Sequence, residues 1–514
     1  MPKVKVGVPL PITGLDVGQP TEFIDPRSSP DCLNVEMTRF TLSKRQGKIA
    51  LGLTLGERIQ RYAQLQIGNE FFAVRFGLSK VQYLDQLTQT WTVLHNALLT
   101  GTQADLFDFC FPLIGGDKFL VYTNGIDPIR KWSGAGLDSD LGGGPPKCKF
   151  MASYSDYVIL AYTIESGVSK YLRVRWCDTA NPEEWTVGSG FNSGFRDLNE
   201  DEQDITGISV WGDYVTVHKD GAIYVGYKVS TSQIFRFDRK STGIGTVAHA
   251  TIASLPTGEQ IFLARDGFHL FNGITAPLIE SPIMEELRDS LNPEFAYLAV
   301  GLVVRERDEY WCAVPIGDQE DPITVYKYNY KTGQCYKDEH LGMTTFGNYQ
   351  RTQKLTWDEK TSPWQADTTR WNDVAYLANN PTVLFGDADG ISTRRVSVYS
   401  DAGLAIDAYW ISKDYTAQDI GDGEMGRLMR WTSIQIWAKG STMLAEYSID
   451  QGQSWQNIKT FSLTGAYPQD DDPQYGYFDV VGSMIRFRFS NDVVDETFTL
   501  KKFIIEATPD EVRE

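Results

Sequence analysis

Residues 214–229 read YVTVHKDGAIYVGYKV, two apolar runs rich in Val, Ile and Tyr on either side of Asp220-Gly221. β-Branched and aromatic side chains fit a pleated, half-buried surface, and Asp-Gly favours the positive φ that tight hairpins demand. The stretch predicts a hairpin of strands over 214–219 and 222–229. Working outward, similar short runs recur at 70–76, 118–123, 157–162, 171–176, 260–264, 309–314 and 324–330. Asn124-Gly125, Asp266-Gly267 and Asn272-Gly273 punctuate them. Short strands with frequent turns predict an all-β fold, a sandwich, barrel or propeller. No strict repeat is present, so the pattern reads as a propeller whose blades have diverged.

One helix interrupts the strands. Ser281-Pro282 offers a cap and a first-turn proline, Ile283, Leu287 and Leu291 share a face, and Asn292-Pro293 ends it. The chain divides into an N-terminal arm with the first strands (1–50) and a β-propeller-like platform (51–339 and 373–425). An irregular insertion (340–372), polar and carrying Trp357, Trp364 and Trp371, interrupts the platform. A break at 421–426 precedes a C-terminal β-sandwich-like domain (426–514).

With 42% hydrophobic and 22% charged residues, the 514-residue chain is globular rather than disordered. The longest apolar run, 295–304, is far shorter than the ~20 residues a spanning helix needs. Residues 1–14 lack the apolar block of a secretion signal, so synthesis and assembly in the cytoplasm are expected. The net charge of −19 and the lack of a dense Lys/Arg cluster argue against sequence-specific nucleic-acid binding. Such a surface would instead let DNA slide past, with Arg305, Arg307, Arg394 and Arg395 as scattered basic contacts.

Catalytic and cofactor chemistry finds little footing. Cys32, Cys110, Cys148, Cys177, Cys312 and Cys335 are scattered and read as small buried hydrophobes. His95, His218, His249, His269 and His340 lack metal-ligand spacing. Asp387/Asp389, Asp419/Asp422 and the run Asp470 to Asp472 read as solvated turns. Asp387 to Gly390 starts like a calcium loop, but the twelfth position is Val398, not Glu. Gly188-x-Gly190 and Gly243-x-Gly245 lack the strand–helix context of phosphate binding and read as turns. No catalytic, cofactor or metal residues are assigned. The sharpest motif, Ser448-Ile449-Asp450-Gln451-Gly452-Gln453-Ser454-Trp455, looks like the Asp-box turn of sialidase-type propellers. Its Asp450 accepts backbone N–H bonds, Gly452 supplies a special φ and Trp455 packs under the hairpin, so its role is structural.

Several stretches together resemble the nozzle proteins of short-tailed bacteriophages, also called tail tubular protein B or tail hub. They are Gly14-Leu15, Pro26, Asn34-Val35 and Arg45-x-Gly47, then Thr123 to Pro128 with Lys131-Trp132, and Trp176-Cys177-Asp178 with Pro182 and Trp185. The densest follow: His218 to Tyr224, Gly243 to Thr246, Phe262 to Gly267, Leu270 to Gly273, Glu309-Tyr310-Trp311 and Tyr326-x-Tyr328-Asn329. The likeness covers most of Gly14 to Gly403. It implies a propeller-like platform with inserted domains, in a hexamer around a DNA channel below the ring that joins tail to portal. Adaptor proteins and tail fibres or spikes would be its partners, double-stranded DNA would cross the lumen without specific binding, and its location would be the virion. Two rivals share the fold, a propeller-type tail glycosidase or depolymerase and a receptor-binding tail fibre protein.

Overall fold

The structure, a computed structural model, describes residues 4–8, 13–38, 41–85, 88–229, 234–350, 381–421, 425–464 and 473–510. It is almost entirely β, with one α-helix among the described residues. Seven sheets, built mainly from 61–93, 108–140, 147–197, 205–242, 253–271, 300–339 and 343–405, follow one another along the chain. A sheet with two apolar faces must cover both, and here each sheet packs against the next. Leu65 and Phe76 of the first meet Leu120 and Trp132 of the second. One cluster joins the second, third and fourth, and Ile223 and Val225 of the fourth meet Phe262 of the fifth. Leu263 and Tyr310 join fifth to sixth, and Trp311 and Phe346 join sixth to seventh. Leu384 of the seventh meets Ala73 of the first, which closes a propeller-like ring.

This packing explains the strand patterns. Strands covered by sheets on both faces are buried throughout, as in Glu309–Val314 and Gln260–Ala264. Outer strands such as Gly194–Asp197 have no fully buried residue. Each fully buried Val, Leu, Ile or Phe contributes about 1.5–3 kcal/mol, so the inner strands dominate the stability of the ring.

The N-terminal arm stitches the molecule together. Gly14–Leu15 and Ser28–Ser29 extend the sixth sheet, and Lys48–Ala50 pairs antiparallel with Ser392–Arg395 in the seventh. Between them, Cys32–Leu33 joins one sheet of the sandwich, and Val35–Thr38 and Thr41–Lys44 join the other. Val4–Val8 lies along Phe498–Pro509. The sandwich buries Trp410, Trp431, Phe487, Phe489 and Phe503 between its sheets, in a core continuous with the fifth and sixth sheets.

Several expectations change. Met343–Tyr349, read as the start of an irregular insertion, is the first strand of the seventh sheet. It is buried on both faces and carries Thr344 and Thr345, so no alternation marks it. The rest of that insertion, 351–372 with its three tryptophans, lies outside the described residues. The break at 421–426 does not divide the sheets, because Ala408–Ile411 and Tyr415–Thr416 already pair with Met484–Asn491 of the sandwich. Gly221 has no positive φ, and the atom a Cβ there would meet, at 2.8 Å, is Oε1 at the end of the exposed Gln203 side chain, so neither backbone strain nor space requires the glycine. Asn124-Gly125 opens a longer turn in which Asn124 Oδ1 accepts the Asp127 N–H at 2.8 Å. The helix runs over Ile283–Ser290, shorter than expected, and its first turn is closed by Met284 N–H donating to Ser281 O at 3.0 Å.

Candidate functional site

The first strands of the sheets line the axis of the ring. Arg61 begins Arg61–Ile67, Asp108 begins Asp108–Cys110, and His249 lies in the single-turn helix His249–Thr251. The three meet on the axis. Arg61 Nη1 donates to Asp108 Oδ1 at 2.9 Å and to Phe107 O at 2.9 Å. His249 Nε2 lies 3.0 Å from the same carboxylate oxygen, and the Met151 N–H donates to Asp108 Oδ2 at 2.7 Å. Burial alone would raise the Asp108 carboxyl, but His249, Arg61 and the Met151 amide more than offset it and hold it below the ordinary carboxylate range.

This cluster forms a septum. A cavity of about 420 Å³ lies on one side and one of about 350 Å³ on the other, and Arg61, Asp108 and His249 line both. The larger one draws walls from six of the seven sheets and from the segment that leads into the fifth, from Gln60 round to Tyr162, Thr206, Ala248, Tyr297 and Thr344. It falls in the size range of small-molecule pockets. None of these residues was singled out as a site from the sequence. They come from segments far apart in the chain, and no local motif marks them.

The motif that was singled out lies outside the ring, in the sandwich, between strands Thr442–Ser448 and Gln456–Ser462. Ser448 Oγ accepts the Gly452 N–H at 2.8 Å and donates to Asp450 Oδ1 at 2.6 Å. The Ser454 N–H donates to the same Asp450 oxygen at 2.9 Å. Bonds from Ser448 and Ser454 lower the Asp450 carboxyl to about 2. Gln451 and Gly452 both have positive φ, at 60° and 88°. Trp455 is half-buried, with the Arg488 guanidinium 4.8 Å over its ring. Arg486 donates to Gln451 O at 2.9 Å and also holds Asp414 and Thr21, which ties the turn to the N-terminal arm.

The other sequence candidates have structural places. All six cysteines are free and buried. Among the described residues, no group of three His, Cys, Asp or Glu side chains could hold a metal ion. Asp387 Oδ1 accepts the Ile391 N–H at 2.6 Å in a turn, and Asp419 binds Lys413 Nζ at 2.8 Å. Asp422 and the run from Asp470 to Asp472 lie outside the described residues. Arg307 and Arg395, expected to face passing DNA, turn inward and both pair with Glu36. Burial opposes ionisation of Glu36, but these two arginines hold its carboxyl at about 2.

The arm motifs sit at the seams. Asn34 Oδ1 accepts from Arg45 Nε at 2.8 Å and from the Glu339 N–H at 3.0 Å, while its Nδ2 donates to Asp407 O at 2.7 Å. Arg45 then grips Asp401 with both Nη groups. A Cβ on Gly14 would lie 2.2 Å from Cys335 O, and one on Gly47 would lie 2.0 Å from Ser400 O.

No family model matches the chain, and no curated protein matches it. Among solved structures, the extracellular domain of a hybrid two-component system from B. thetaiotaomicron aligns with a TM-score of 0.40 and 8% identity, over 68% of this chain and 41% of that one. A second such domain from the same organism aligns with a TM-score of 0.30 and 8% identity, over 74% and 42%. An exo-β-1,3-galactanase from Phanerochaete chrysosporium, solved with galactose, aligns with a TM-score of 0.27 and 10% identity, over 89% and 100%. The chain spans about two fifths of the length of the two extracellular domains.

Proposed function

We propose that the chain is a structural subunit of the tail of a short-tailed bacteriophage, a nozzle protein that assembles as a hexameric ring. The observation that carries this reading is the ordered run of family-like motifs from Gly14 to Gly403. Those of the arm supply the bonds that fasten the sixth and seventh sheets to the sandwich. A tail ring must hold its shape while DNA moves through it, and a sheet ring stitched to a sandwich suits that load. In this reading DNA runs between copies, not through one propeller, whose axis is blocked at Arg61, Asp108 and His249. Six copies close only if the rotation between neighbours divides a full turn. Adaptor and fibre proteins dock on the outer faces, and the net charge of −19 leaves few phosphate contacts.

A second reading, a propeller glycosidase, has the axial cavity in its favour. It needs two carboxyl groups about 5–9.5 Å apart, one of them with a raised pKa. Asp108 is the buried carboxylate of the cavity, and its pairing pushes it the other way. The mass of the purified assembly, measured by native mass spectrometry, separates the readings. A hexamer supports the nozzle, a trimer replaces it with a fibre protein, and a monomer that cleaves polysaccharide replaces it with the enzyme.

A further inference from the structure

The larger axial cavity has a specified shape and unmet polar groups on its wall. Three strands that line it break register there. Tyr162 has φ +54° at a bulge between Ala161 and Thr163. Thr206 is skipped between Ile205 and Gly207, and Thr344 between Met343 and Thr345. Bulges cost ladder bonds, and they re-aim side chains next to sites. Three on different sheets, all at one cavity, mark its shape as specified.

The wall also carries unmet polar capacity. Gln60 is 5% exposed, and its Nε2 donates to Thr102 O at 3.2 Å. Its Oε1 is buried and has no partner among the described residues, and neither has Thr206 Oγ1. A buried acceptor left unmade costs about 1–3 kcal/mol, so such groups call for a donor. Around them the lining is mainly apolar and aromatic, with Phe150, Tyr162, Ile164 and Tyr297. Charge on the wall is balanced. Arg58 pairs with Asp321, and Lys149 lies over the Tyr162 ring at 4.3 Å, while Asp105 and Asp204 supply the opposite sign. Arg61 and His249 are occupied by Asp108.

We propose that this cavity binds a neutral, hydroxyl-bearing ring compound, a hexose or the end of a short oligosaccharide. Its hydroxyls donate to Gln60 Oε1 and bond Thr206 Oγ1, and its apolar face lies on the aromatic wall. Arg61, His249 and the Met151 amide already occupy the Asp108 carboxylate, so the proposed role is binding, not cleavage. The site rests on the sheet ring alone and is independent of the assembly reading.

The test is saturation-transfer NMR on the full chain with a panel of free glucose, galactose, mannose, maltose and lactose, with glucuronate and glucosamine as charged comparators. At least one neutral sugar should bind saturably in the millimolar range. Gln60→Leu and Thr206→Val, each near-isosteric, should weaken it about fivefold or more, with the melting temperature of Thr206→Val unchanged. If Gln60→Leu does not fold, Thr206→Val carries the comparison. Absence of binding by every neutral sugar, binding of the charged sugars alone, or affinity indifferent to the folded variants would overturn the proposal.

Discussion

His218 and His340 are sealed inside the ring as neutral bases. His218 shares a 3.1 Å contact with Gln260 Oε1, and burial lowers it to about 4. His340 is held well below its ordinary range by burial, with the cations Arg45, Lys48, Lys327 and Arg395 adding to the effect. A base whose folded pKa lies below its unfolded value is protonated first in the unfolded chain. Stability is therefore complete above about pH 6.5 and falls as the pH drops towards 4, by roughly 3 kcal/mol for His218 alone. Urea midpoints measured between pH 7 and 5 should decline, and His218→Gln should flatten the decline. Asp108→Asn should cost about 3 kcal/mol, because it strands Arg61 without its counter-charge; chemical denaturation at neutral pH reads this directly. The packed state of His218 was legible from the apolar strand around it. The turn at Asp450 was legible too, because its bonds close between Ser448 and Ser454. The septum was not, since its three members arrive from two sheets and a single-turn helix and only the closed ring brings them within 3 Å or so.

At the scale of elements, the latch strand Lys48–Ala50 decides whether the seventh sheet is complete. Gly47→Ala should cost about 1–3 kcal/mol, since its Cβ would lie 2.0 Å from Ser400 O. Gly7→Ala, with nothing within 4 Å of the added carbon, should be neutral; thermal melts of the two variants side by side check the contrast. Reading elements from sequence worked best for strands bounded by tight turns. Glu70–Phe76, Tyr214–Lys219, Gln260–Ala264 and Glu309–Val314 agree with their expected limits at both ends. Outer strands such as Ser139–Asp140 and Gly194–Asp197 are two to four residues long with no buried residue, and nothing in their composition separates them from loops. The strands of the arm are two to five residues long, too short for periodicity to speak.

For the whole molecule, charge and connectivity matter most. With a net charge of −19, and with Arg307 and Arg395 turned inward on Glu36, free DNA should bind weakly and with a shallow dependence on salt. A salt titration of DNA binding to the assembled protein checks this, and a steep slope would reveal a basic surface assembled from distant residues. The all-β class was legible because hairpin signals repeat along the chain. Membership of the sandwich was not, because strands from 4–44 and 408–416 complete it from outside its main stretch. That weave also sets a timetable for synthesis. Val4–Val8 finds its partners at Phe503 to Ala507, nearly 500 residues later. At about 5–20 residues per second, a ribosome delivers them some 25–100 seconds after the first strand has emerged. Lys48–Ala50 waits for Ser392–Arg395 in the same way. Through that interval four to six sheets can fold while both edges of the unfinished ring stand open, so the nascent chain is at its most vulnerable to mispairing just before Ser392–Arg395 leaves the ribosome.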